Sequence, residues 1–65
     1  MIATYKQDGF GIFWPCIEHT DGRVEDLRYS NPSIHGHRFK EGAYMEARIE
    51  INKRQGRPMA LDAIK

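Results

Sequence analysis

The chain has no second cysteine to pair with Cys16, so no internal disulfide can brace its 65 residues. A lone thiol fits a reducing compartment, and a cytoplasmic location is the expectation. No apolar run approaches the roughly 18 residues of a membrane span. The first residues, Met1-Ile2-Ala3-Thr4-Tyr5-Lys6, lack a basic-then-apolar leader. An excess of one charge is missing too: the formal net charge is +1, which gives no bulk pull toward nucleic acid or membrane. No sustained 3.6-residue stripe stands out, so a helix longer than one turn is not expected. Without a helix there is also no glycine loop backed by a helix dipole to cradle phosphates.

What is present is mostly period two. Met45, Ala47, Ile49 and Ile51 alternate with Tyr44, Glu46, Arg48 and Glu50, the pattern of a half-buried antiparallel strand. Residues 1–6, 10–18 and 23–29 read as three earlier strands, and residues 58–64 as a fifth. Gln7-Asp8-Gly9 and Thr20-Asp21-Gly22 separate the first three with turn chemistry. A polar loop over residues 30–41 holds His35 and His37, and Lys53-Arg54-Gln55-Gly56-Arg57 reads as a basic turn. Five short strands in one small domain spanning 1–65 predict an all-β fold, a five-stranded antiparallel barrel whose closure hides its edges. Phe13, Leu27, Met45, Ala47, Ile49 and Ile51 are its expected core.

The segment Asp8-Gly9-Phe10-Gly11-Ile12-Phe13-Trp14-Pro15 carries the most information. Extended from residue 10, it puts Phe10, Ile12 and Trp14 on one face and Phe13 on the other. Exposed rings on one face suit flat ligands, and glycines beside them admit a nucleic-acid backbone. The segment resembles the Lys-Gly-Phe-Gly-Phe-Ile-x-Pro strand of the cold-shock domain, an OB-type barrel. Arg28-Tyr29-Ser30 is similar to that family's His-Phe-Ser. Residues 41–49 resemble its Glu-Gly-Gln-x-Val-x-Phe-Glu-Ile, and residues 57–63 its Gly-Pro-Gln-Ala-x-Asn-Val ending. The departures thin the platform: Asp8 replaces a lysine, Ile12 a phenylalanine, and Asp26 falls where an exposed phenylalanine is usual.

The resemblance implies single-stranded RNA or DNA binding with little sequence preference, in the manner of a nucleic-acid chaperone acting as a monomer. The expected contacts are stacking on Phe10, Trp14 and Tyr29 with help from Ile12 and Tyr5, and phosphate pairing by Lys6, Arg28, Arg38, Lys40 and Arg57. His37 and Phe39 complete the loop side. The alternative is a protein-binding module that reuses the aromatic face on a partner protein, which Asp8 and Asp26 favour.

Cys16-x-x-His19 with His35-x-His37 falls short of the regular paired spacing of a zinc site, so no metal or other cofactor is expected. Nothing aligns a nucleophile with a base and an orienting acid, and no enzymatic activity is expected.

Overall fold

The computed structural model describes residues 1–56. Strand β1 (Ile2–Gln7), strand β2 (Phe13–Glu18) and strand β3 (Val24–Asp26) form an antiparallel meander in the order β1-β2-β3. A single helical turn, α1 (Leu27–Ser30), continues β3, and a fifteen-residue helix, α2 (Lys40–Arg54), follows a loop. The expected all-β barrel is not formed: three strands make an open sheet, and α2 covers one face instead of further strands closing a cylinder.

The helix overturns the strand expected over residues 43–51, and its packing explains why. Ala43, Ala47 and Ile51 are four residues apart, fall on one helical face and are buried against the sheet. Ala47 and Ile51 join Ile17 and Leu27 in the core, with Ala3 and Ile34 packed at its edge. Met45 and Ile49 were expected inside with them. They form a second four-residue row about 200° round the helix and stay exposed. Glu41 in the first turn and Lys53 and Arg54 in the last complement the helix dipole, and Gly56 ends the helix at φ +74°.

Other boundaries shift for local reasons. The strand expected from residue 10 begins at Phe13, because residues 8–12 are a turn with Gly11 at φ +82°. The strand expected over 23–29 ends at Asp26, whose carboxylate caps α1 by accepting the Arg28 N–H at 3.1 Å. The Thr20-Asp21-Gly22 turn forms where expected, closed by His19 N–H to Arg23 C=O at 2.8 Å. Leu27 is buried as expected, whereas Phe13 is half-buried and meets Tyr5 edge-on at 5.5 Å. The expected fifth strand, residues 58–64, lies outside the described residues.

A proline in the central strand needs an explanation, since it cannot donate to a ladder. Phe13 exchanges both backbone hydrogen bonds with His37 (2.8 and 2.9 Å), so its polar groups point away from β1. Two residues on, Pro15 points the same way, opposite Tyr5 in a pair that exchanges no bonds. Its missing N–H therefore falls in the gap between His37 and the last β2–β3 pair, Cys16 with Asp26. There β3 gives way to α1.

One carboxylate ties the far end together. Glu25 on β3 accepts both terminal nitrogens of Arg54 at 2.9 and 2.8 Å, the Ser30 hydroxyl at 2.6 Å, and a bond with the His19 ring at 2.9 Å. The Arg54 bonds, then those of Ser30 and His19, hold the Glu25 carboxyl far below the usual carboxylate range. A depressed pKa stabilises the fold above the unfolded value, and that contribution is lost as pH falls toward the folded value.

Two outcomes follow. Ile51→Ala should cost about 2–5 kcal/mol, whereas Ile49→Ala, at a site 40% exposed, should stay within about 0.5 kcal/mol. Equal losses in chemical denaturation would favour a strand. Glu25→Gln should cost about 1–2 kcal/mol at neutral pH and flatten the loss of stability as pH falls below about 4.5. An unchanged acid limb would remove Glu25 from this role.

Candidate nucleic-acid interface

Alternation along the strands divides the side chains. Ala3, Tyr5, Phe13, Pro15, Ile17 and Glu25 take the face under α2, and Thr4, Lys6, Trp14, Cys16 and Asp26 take the other. The second face is not covered by α2, and it gathers four of the expected contact residues.

Trp14 is at its centre, paired in register with Lys6 on β1. The indole N–H donates to Asp8 Oδ2 at 2.9 Å. The other Asp8 oxygen accepts the backbone N–H of Phe10 at 2.8 Å and of Ile12 at 3.0 Å. Asp8 thus folds the β1–β2 turn and fixes the indole in one step. These bonds, led by the one from Trp14, keep the Asp8 carboxyl below its ordinary value. The turn leaves Phe10 92% exposed at its tip. Phe10 therefore does not share a strand face with Trp14, as an extended segment would require.

The guanidinium of Arg28 lies 4.8 Å from the Trp14 ring centre and 5.0 Å from that of Tyr29. Arg28 Nε donates to Asp26 Oδ2 at 3.0 Å, which sets the plane of the fork. Among the described residues, neither Nη1 nor Nη2 of Arg28 has an acceptor. Tyr29 is 80% exposed. The result is a Trp14–Arg28–Tyr29 cluster, with an aromatic ring and two charged N–H groups available to a ligand.

The loop completes the wall. A Cβ on Gly36 would lie 2.4 Å from the Ile12 methyl and 3.2 Å from the Trp14 ring, so only glycine lets the loop pass this close. Ile12 is half-buried there and offers little area for stacking.

The remaining expected contacts lie elsewhere. Tyr5 faces α2, beside Lys40 and Tyr44. His37 is spent on β2 and on Glu46, whose carboxylate is 2.6 Å from its ring. Arg38, Phe39 and Lys40 are exposed where the loop enters α2, and Arg57 is outside the described residues. Asp8 and Asp26 are the contributors that sequence reasoning missed. Read as charges that would repel phosphate, they are engaged in holding Trp14 and Arg28.

Among the described residues, no three of His, Cys, Asp and Glu gather around a point that would hold a metal ion. His19 and His37 face different glutamates, Glu25 and Glu46. Cys16 is fully buried, its thiol pKa pushed up by burial and then by Asp26, which leaves it a poor nucleophile. Among the described residues, no helix is long and apolar enough to cross a membrane.

In comparisons with known proteins, no family model, no curated protein and no solved structure matches the chain.

The Asp8–Trp14 bond gives a direct reading of the site. The indole N–H resonance of Trp14, the one tryptophan in the chain, should shift with pH at a midpoint below 3.8. Asp8→Asn should abolish that titration. A midpoint at or above the ordinary value would show that the carboxylate does not hold the ring.

Proposed function

We propose that the chain binds single-stranded nucleic acid on the sheet face opposite α2, with little sequence preference. The observation that carries this reading is the Arg28 guanidinium lying within about 5 Å of both the Trp14 ring and the exposed Tyr29 ring, with Nη1 and Nη2 unengaged among the described residues. A base stacks on the outer face of Tyr29, sequence-tolerant because every base has a flat face. Arg28 Nη1 and Nη2 then take the adjacent phosphate as a fork, and Lys6 supplies a second cation on the same face. Phe10, at the tip of the turn, offers a further ring to a neighbouring base.

Two features support the mechanism beyond composition. The carboxylates of this face are satisfied internally, so they present less free charge to a phosphate than a formal count suggests. The cation is also pre-positioned, by the Asp26 carboxylate and by the Trp14 ring that Asp8 holds, which lowers the ordering cost of binding. Few phosphates are contacted, so affinity should be modest and only moderately salt-dependent, with a slope near 0.7 per phosphate neutralised.

The test is a titration of a labelled oligopyrimidine strand at two salt concentrations. Tyr29→Ala should weaken binding by about 1–3 kcal/mol. Arg28→Gln should weaken it and lower the salt slope by about one phosphate's worth. Tyr44→Ala, on α2, should leave binding unchanged. If neither RNA nor DNA strands bind the folded protein at low salt, the proposal fails, and the aromatic face is then a surface for a protein.

A further inference from the structure

The outer edge of β1 has no neighbour among the described residues, and its backbone phase is determined. Asp8 N–H donates to Ile12 C=O, while Phe13 bonds away from β1, so Lys6 with Trp14, Thr4 with Cys16 and Ile2 with Glu18 are the pairs that exchange bonds. Ala3, Tyr5 and Gln7 therefore turn their N–H and C=O groups outward. A strand edge of this kind is a template for another strand.

The flank of α2 beside that edge is apolar at its middle and charged at its ends. Glu41, Tyr44 and Arg48 follow one another at three- and four-residue steps on the β1 side. Two hollows of about 320 and 350 Å³ run along it, one floored by Met1 and Ile2 and the other by Tyr5. Tyr44 borders both, which puts it level with the middle of β1.

We propose that two copies of this chain pair antiparallel along β1, about a two-fold axis at Thr4, to form a continuous six-stranded sheet. Ala3 then exchanges two hydrogen bonds with Tyr5 of the second copy, and Tyr5 with Ala3 of that copy. Lys6 lies opposite Ile2, so no like charges meet on the strands. The same axis, passing level with Tyr44, sets Glu41 opposite Arg48 of the second copy, twice, and Tyr44 against Met45. The spacing also fits. α2 packs on both β1 and β2. With strands about 4.8 Å apart, the helix is therefore about 5 Å from the axis and about 10 Å from its copy, a normal helix-packing distance. This coincidence of strand register, charge pattern and helix spacing favours a second copy over an unrelated strand. The pairing leaves both Trp14 faces on the same side of the sheet.

Sedimentation equilibrium of the full chain tests the proposal. The mass should rise from 7.6 kDa on dilution to twice that value at high concentration. Glu41→Arg and Arg48→Glu should each weaken dimerisation by about tenfold or more, and the double exchange should restore it to within a few-fold. In hydrogen exchange, the Ala3 and Tyr5 amides should gain protection with concentration, while Thr4 and Lys6 stay protected throughout. A mass fixed at 7.6 kDa, a dimer indifferent to the charge exchange, or Ala3 and Tyr5 amides already protected on dilution would each overturn it.

Discussion

Pro15 is the constraint on which the arrangement of this small protein turns. A central strand must donate on both sides, and β2 cannot do so at residue 15. The protein places the defect where no donor is needed toward β1 and where the other side is vacant. The β3 lane consequently breaks in two: β3 pairs with one end of β2, and His37 returns to pair with the other. The chain leaving β3 at that break coils into α1, and α1 brings Arg28 over Trp14 with Tyr29 beside the same guanidinium. The candidate site is built on this interruption in the sheet.

The charges of the molecule are organised in the same economical way. Asp8 and Asp26 hold an indole and a guanidinium on one face, and Glu25 gathers Arg54, Ser30 and His19 on the other. A 65-residue chain has a thin core, here Ile17, Leu27, Ala47 and Ile51 with a few neighbours. Hydrogen-bonded carboxylates that join separate elements supply order that such a core supplies only in part. The near-neutral net charge conceals this, because most acidic groups near the candidate site are engaged with named partners.

Much of the first half was legible in the residues. β1, the two Asp-Gly turns and the loop after Ser30 lie close to where composition puts them, because turn chemistry and alternation are local signals. The second half was not, for a geometric reason. A run with apolar residues at every second position also has them at every fourth, so Ala43, Ala47 and Ile51 satisfy a helix as well as a strand. Which period governs depends on what the segment packs against. The small side chains at 43 and 47 let a helix lie close on the sheet, and that choice removed the barrel. Trp14, Arg28 and Tyr29 could be singled out as candidate contact residues, but their clustering around one guanidinium could not, since it depends on α1 starting at the Pro15 gap. Asp8 and Asp26 were misread because a sequence shows a carboxylate's charge and not its partner.

We propose that the face opposite α2, and no other, receives a single strand. This is tested most directly by titrating the isotopically labelled protein with an unstructured pyrimidine strand and following each amide and the Trp14 indole N–H. The predicted result is that shifts concentrate at Lys6, Phe10, Trp14, Arg28 and Tyr29 while Ala43, Ala47 and Ile51 on α2 are unmoved. Shifts centred on Tyr44 and Met45, or none at a strand concentration well above the protein's at low salt, would contradict it.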